Sequence, residues 1–503
     1  MAPPSAVTRL RERLVREVDI ASLAVFRVLF FGLMCISSVR FMAEGWVERC
    51  FVLPSFFFHY WGASGVQVLS PSAMMALHVT MAVSAALACV GLCYRLAAPV
   101  FLCSFVYVEL CDVSNYLNHY YQAALLTLLF AFVPAHRALS LDARLRPKLR
   151  RATVPAWCVY LLRFQVGVVY VFAGLAKAQP DWLLHGQPLG IWLAARLETP
   201  VLGPLFALPM TPLLMSWAGF LFDSTIVVWL SWRRTRAAAY VAVIVFHALT
   251  HVLFHIGIFP FLMMLSAPIF FDPSWPRWLA ARLAAPLRTL GVRTSSAPGS
   301  SRGEDASATR DDAATRAGVG GPAAPGGAET TSGPAVLAPL ATAALCAYAA
   351  LQVLLPLRTH LYGGNVLWHE QGMRYSFRVM VRSKTGAVTY RVRASDLVNE
   401  QIVEPCHYLN ALQEREMAGQ PDLILQLAHR IADDYRARGH RDVEVRADVF
   451  VSLNGRPRAR MIDPEADLAS IPDGLGPATY ILPAPTTAPL ATHRGRAHAA
   501  RSL

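Results

Sequence analysis

Apolar runs about twenty residues long alternate with short polar segments as far as residue 271, and one further run follows a polar gap. A helix needs roughly 20 apolar residues to cross a bilayer. The pattern therefore predicts nine crossings, at 20–42, 72–94, 96–111, 118–135, 154–175, 211–231, 236–254, 256–271 and 335–357. The third and eighth are short, which suits a tilted, re-entrant or half-crossing segment. Beyond residue 358 the period shortens toward that of strands. Tyr375, Phe377, Val379 and Val381 alternate with polar residues, as do Val388, Tyr390 and Val392, with a turn expected at Gly386. Residues 419–437 read as a helix. Val443, Val445, Ala447 and Val449 alternate again, and Asn454-Gly455 carries the signal of a hairpin turn.

The expected fold class is an α-helical multi-span membrane protein, with about eight or nine transmembrane helices and a C-terminal strand-rich extracytoplasmic domain. The expected divisions are a basic cytoplasmic segment 1–19, a transmembrane domain 20–293, a disordered linker 294–334, a last span 335–357, an extracytoplasmic domain 358–485 and a disordered tail 486–503. The linker reading rests on Ser, Gly, Ala, Thr and Pro without apolar periodicity.

Composition agrees. Of 503 residues, 55% are hydrophobic and 16% charged, against roughly 25% charged in soluble domains. The net charge of +13 does not point to nucleic acid, because the arginines cluster beside apolar runs at every second connection. Arg9, Arg11, Arg13 and Arg16 precede the first run, and Arg144, Arg146, Lys148, Arg150 and Arg151 follow the fourth. Arg233, Arg234 and Arg236 follow the sixth, and Arg277, Arg282 and Arg288 the eighth. Positive-inside anchoring then places the N-terminus in the cytoplasm and the C-terminal domain on the opposite face. No cleavable signal pattern follows the first run. The nine cysteines lack ligand spacing, and most fall in apolar runs as inert thiols. Cys50 and Cys406 lie outside the runs and are a candidate disulfide pair.

Ionisable groups inside spans are costly and so are candidates for function. They are Glu109, Arg163, Asp223 and His247, with His119 and Lys177 at helix ends. A part-desolvated amine at Lys177 suits a base, while its position also suits a lysine snorkelling to the interface. His119, between Asn118 and Tyr120, also fits an interfacial anchor, and Asp223 with Arg163 also fits a structural ion pair. His247, His251 and His255 share a helical face at a spacing that suits a metal, but no carboxylate or cysteine is near in sequence to complete a site, and no metal is expected. HEXXH, P-loop, GxSxG and GxGxxG patterns are absent, which leaves zinc proteolysis, nucleotide hydrolysis and serine hydrolysis without support.

Several stretches in order resemble the vitamin K-dependent γ-glutamyl carboxylases, whose membrane part is the horizontally transferred transmembrane domain. They are GLCYR at 91–95, Asp112 with Asn118-His119, LRFQVGVVYVFAGLAKAQPDW at 162–182 and GFLFDS around Asp223. FHALTHVLFHIGIFPFLMMLSAPIFFDPSWPRW follows at 246–278, then LPLRTHLYGGNVLWHEQGMRYSFRVMVRSK at 355–384 and VFVSLNGRPRARMIDP at 449–464. The likeness leaves out only the linker and the tail. It implies an enzyme that oxidises a vitamin K-type quinol (phylloquinol or menaquinol) with O₂ to the epoxide and adds CO₂ to glutamate side chains. It implies Lys177 and His119 as catalytic, and Asn118, Tyr170, His247, Arg163, Gln165 and Asp223 around the quinol. Trp182, His360, Trp368 and Arg374 would lie toward a glutamate-containing peptide or protein. The chain would meet lipid and quinone in a bacterial inner membrane, or in the ER membrane if eukaryotic, with its active face non-cytoplasmic. Two positions depart from the pattern: Ala176 stands where animal enzymes carry a second lysine, and Arg374 where the family has a tyrosine. Two rival readings keep the same scaffold, a non-carboxylating peptide maturation or export factor and an uncoupled quinol epoxidase.

Overall fold

The computed structural model describes residues 6–254, 256–289 and 339–490. The expected linker, all but residues 486–490 of the expected tail, and His255 lie outside them. The helices are α1 Ala6–Val15, α2 Ala21–Ala43, α3 Pro71–Val90, α4 Tyr94–Cys111, α5 Asn118–Phe132 and α6 Trp157–Lys177. They continue as α7 Thr211–Ser231, α8 Arg236–Leu253, α9 Phe259–Ser266, α10 Trp275–Thr289 and α11 Pro339–Leu357. Among the described residues seven helices are long and apolar enough to cross a membrane: α2, α3, α4, α6, α7, α8 and α11. The run expected at 118–135 is the 15-residue α5, about 22 Å long and short of a hydrocarbon core of about 30 Å. The run at 256–271 is α9 with the 3-10 turn Ala267–Phe270. The third run, expected to be short, is long enough at 18 residues.

The membrane core is a phenylalanine cluster. Phe30 of α2 stacks on Phe130 of α5 at 5.4 Å, and Phe31 meets Phe101 of α4 edge-on at 6.0 Å. At one end of this core sits a fully buried Arg27. It donates to the carbonyls of Ala135, Ala138 and Leu139, so its charge is met by oriented dipoles instead of a carboxylate. Gly91 ends α3 with φ +68°, and a side chain there would collide with Arg27. Asp142 accepts from the backbone N–H of Cys93 and Tyr94 at the start of α4. The GLCYR stretch is thus a structural corner.

The connections segregate by end. Those rich in arginine touch one another: Ala156 N–H donates to Arg16 O, and Arg277 pairs with Asp19 at 2.6 Å. The strands β1 Glu17–Asp19 and β2 Thr153–Pro155 pair antiparallel there. Connections at the other end hold the C-terminal domain. His59 exchanges two hydrogen bonds with the Gln426 side chain, and Gln413 donates to Asp112 at 2.9 Å. Arg456 grips Asp181 through two nitrogens, both at 2.6 Å, while Asn454 Nδ2 donates to the same carboxylate.

The C-terminal domain contains β3 Lys384–Arg393, β4 Gln401–Val403, β5 Glu444–Leu453 and β6 Ala459–Arg460. They form an antiparallel sheet in the order β4-β3-β5-β6. Val445, Ala447 and Val449 face the core as expected, and Val451 and Leu453 continue the same face. The helix expected at 419–437 is α12, Pro421–Ala437. Asn454 and Gly455 both take positive φ in the turn that joins β5 to β6.

Two expectations about this domain fail. Gly386 is not in a turn. It lies within β3 opposite Val451, where a side chain would strike the Ala418 carbonyl. Residues 375–381 are not a strand either. Tyr375, Phe377 and Met380 take positive φ, and of the side chains that alternate in sequence Phe377 is buried in the membrane core while Val381 is buried in the core of the C-terminal domain. Tyr375 and Phe377 pack on Tyr121 of α5 with ring centroids 4.9 and 5.3 Å away. The described residues hold no disulfide. Cys50 is a free buried thiol and Cys406 a free exposed one, so the expected pair is not formed. Cys93, Cys103 and Cys346 are exposed, contrary to a uniformly buried reading.

Candidate active site

Lys177 is the last residue of α6, and Asp223 lies midway along α7. What brings them together is Gly174, one turn before the lysine. A Cβ there would lie 2.9 Å from Ser224 N and 3.0 Å from Ser224 Cα, so only glycine lets the two backbones approach this closely. Asp223 Oδ2 then stands 2.8 Å from Lys177 Nζ, with the side chains only 7% and 5% exposed. The ammonium position is completed by the carbonyls of Val379, at 3.2 Å from the C-terminal domain, and Ala173, at 3.4 Å. It also lies 5.1 Å over the ring of Trp182, whose Nε1 donates to Ser216 O. The expectation of a part-solvated amine is therefore corrected: Lys177 is buried and paired with Asp223. So is the Arg163–Asp223 pairing. Arg163 instead donates to the carbonyls of Ile269 and Phe271, both at 2.7 Å.

The pair is not sealed away. Lys177, Asp223, Trp182, Tyr170, His247 and Phe259 all border one cavity of about 80 Å³, with apolar side chains making up most of its wall. That is well above the roughly 10–15 Å³ needed to admit one water. Tyr170 Oη and His247 Nε2 are 3.0 Å apart. His247 Nδ1 is buried and has no hydrogen-bond partner among the described residues, which leaves one unmet polar atom on a residue that borders the cavity.

His119, buried at the start of α5, does not border this cavity but stands next to it. Its ring and that of His247 flank Phe259, at 6.0 and 5.8 Å. Its Nε2 lies 3.5 Å from where a Cβ on Gly257 would stand, and it has no hydrogen-bond partner among the described residues. Asn118 accepts from Tyr116 Oη, which in turn accepts from Tyr375 N–H. The lysine and the histidine therefore sit at the same end of the helices, under the inserted segment 375–380.

Other expected residues lie elsewhere. Gln165 donates to Gln122 and accepts from Tyr348, a buried bridge joining α6, α5 and α11. Trp368 is buried in the C-terminal core and donates to Leu482 O. His360 is exposed on the turn after α11. Arg374 pairs with Asp422 and donates to Gln420. Burial works against its charge, but the carboxylate more than offsets this and holds its pKa above the ordinary value. His251 packs on Phe261. Sequence reasoning missed Gly174, Phe259 and the Val379 carbonyl. Of these only Gly174, a small residue one turn from a buried charge, left a readable sign.

Two family models match. The HTTM domain covers residues 15–275, and the vitamin K-dependent gamma-carboxylase lumenal domain covers residues 337–487. No solved structure matches the chain. The HTTM match takes in α2 through α9, and the lumenal match takes in α11 and the sheet domain docked on Asp181 and Asp112. With both halves of one architecture present in order, the chain belongs to the vitamin K-dependent gamma-carboxylase family.

Proposed function

We propose that this protein is a membrane peptidyl-glutamate γ-carboxylase that couples oxidation of a vitamin K-type quinol by O₂ to addition of CO₂ on glutamate side chains. The observation that carries the reading is the buried Lys177–Asp223 pair on the wall of an apolar cavity, one aromatic ring away from His119. The cavity suits a flat, lipid-borne quinol: its walls are apolar, and Lys177–Asp223 and Tyr170–His247 supply two polar points. Oxidation of the quinol supplies a base far stronger than any side chain, which the weakly acidic γ-proton of glutamate requires.

The residues prepare that step. Lys177 takes a proton from a quinol hydroxyl once it has given up its own, and so returns to the ion-paired state in which it rests. Asp223, 2.8 Å away, stabilises the ammonium that results, so the transfer ends in an ion pair and not in a lone buried cation. His119 lies on the far side of Phe259, where a glutamate side chain arriving from the C-terminal domain side would meet it. The segment 375–380 covers the site and excludes water that would quench a strong base or a carbanion. The active face is the one that carries the C-terminal domain, opposite the arginine-rich connections.

The test uses purified protein, quinol, O₂, radiolabelled bicarbonate and a glutamate-rich peptide. Wild type forms both the epoxide and the carboxylated peptide. Lys177→Ala forms neither, and His119→Ala retains more epoxidation than carboxylation. Normal carboxylation by Lys177→Ala would refute the assignment, and epoxide without carboxylation in wild type would identify an uncoupled epoxidase.

A further inference from the structure

A second cavity lies at the opposite end of α6. Arg163 is about 21 Å from Lys177 at 1.5 Å per residue, and with Arg16, Arg233 and Arg236 it lines a pocket of about 290 Å³. Tyr160 and Asp272 complete its polar wall. The arginines come from three parts of the chain. Arg16 is held by the β1–β2 pairing, whose neighbour Ala156 N–H donates to its carbonyl. Arg163 is on α6, while Arg233 and Arg236 lie at the start of α8.

Two of the guanidiniums are fixed in place. Nε and Nη2 of Arg163 bond the carbonyls of Ile269 and Phe271, and the same atoms of Arg236 bond those of Leu230 and Ser231. Nη1 of each has no protein partner among the described residues. Arg16 and Arg233 are exposed and make no ion pair among the described residues. Acidic groups near the pocket offset only part of this charge. Asp272 accepts the N–H and hydroxyl of Ser274 on Oδ1; it forms no salt bridge among the described residues, although its charge attracts Arg163 and Arg236. Glu17 is exposed and has no ion-pair partner among the described residues, and Asp19 is taken by Arg277. Four positive groups therefore face one roomy cavity across a single carboxylate.

The surroundings fix the depth of the pocket. Trp229 and Trp232, within about one helical turn of Arg233, are 44% and 53% exposed. Exposed tryptophans at the ends of apolar helices mark the membrane–water boundary. The adjoining α10 presents Trp278, Leu279 and Leu283 outward, with Arg282 over the Trp278 ring at 5.0 Å, as a helix lying in that boundary does. We propose that this pocket binds the phosphate of an anionic phospholipid headgroup in the leaflet opposite the C-terminal domain. Preorganised guanidiniums with free Nη1 groups match phosphate oxygens in charge and geometry, and basic pockets between helices at this depth suit such headgroups. A free phosphate ion shares this chemistry, but it would not use the flanking tryptophans.

The site does not depend on the reaction proposed above. Its test is native mass spectrometry of the full-length protein in detergent, with added phosphatidylglycerol, phosphatidylcholine or inorganic phosphate. Phosphatidylglycerol should be retained about tenfold more than phosphatidylcholine, and the Arg16→Ala/Arg233→Ala variant should lose about that factor. Those two side chains hold no structural bond, so the melting temperature in detergent alone should not change. Arg233→Lys should keep most of the retention. Equal retention of the two lipids, or phosphatidylglycerol retention that survives the double substitution, overturns the proposal. Binding of inorganic phosphate without retention of the lipid overturns the lipid source.

Discussion

Lys177 and Asp223 illustrate how one residue's chemistry depends on a partner. Each charge is buried, and each is tolerable only because the other is 2.8 Å away. Removing one partner strands the other, which costs about 3–5 kcal/mol, whereas removing both often costs little. Asp223→Ala is thus expected to lower the melting temperature in detergent more than Lys177→Ala/Asp223→Ala does, while both are inactive. A double variant less stable than either single would show that the pair is not the source of the strain. Lys384 poses the same problem outside the membrane. It is buried beside Glu370 at 3.0 Å and over Trp368 at 5.7 Å, and burial pushes its pKa down to about 8, against the pull of Glu370. A lysine depressed in the folded state sheds its proton earlier than in the unfolded chain. Between about pH 8 and about 10.5 the unfolded state therefore holds more protons, and stability rises with pH. Below that window the fold bears the burial cost in full. Lys384→Met should remove this dependence, so the stability of wild type relative to the variant should rise between pH 7 and 10 in thermal melts.

At the scale of elements, the decisive contact is the approach of α6 to α7 at Gly174. The Ser224 backbone leaves no room for a methyl group there, and packing so close that one added carbon must move a helix typically costs about 1–3 kcal/mol. Gly174→Ala should separate Lys177 from Asp223 and reduce carboxylation by about tenfold or more, an effect of the size a misplaced catalytic group produces. Gly167→Ala is the control. A Cβ there meets only Val227 side-chain atoms at ordinary distance, and it should leave activity nearly unchanged. This contact also shows where the sequence could be read and where it could not. Period and length located most of the spans, α12 and the buried face of β5, because those follow from the chain's own repeat. The partner of Lys177 did not follow. Arg163 looked suitable for Asp223 as a cation within the spans, but it lies at the other end of α6 on the Ile269 and Phe271 carbonyls. The 375–381 segment alternates as a strand does, yet Tyr121 and the top of α6 captured it. Tertiary burial decided its backbone, and no local period records that.

For the molecule as a whole, α5 and α9 are too short to fill the bilayer, and the space above their first residues is taken by the segment 375–380. A membrane domain built this way cannot complete its site alone, because the Val379 carbonyl and the cover over Tyr121 come from the C-terminal domain. The two ends also differ in charge. Every arginine-rich connection lies opposite that domain, so the positive-inside rule orients the whole protein once it orients any one loop. The chain carries its own reporter of this. Cys406 is exposed on the C-terminal domain, while Cys93 is exposed at the arginine-rich end. A membrane-impermeant maleimide added to intact cells should label wild type, and Cys406→Ser should abolish that labelling. Lys148→Cys, at an exposed position beside Arg150, should add a label only after the cells are broken. Labelling of position 148 from outside would invert the protein, placing the lysine, the histidine and their cover on the cytoplasmic face and the arginine pocket in the outer leaflet.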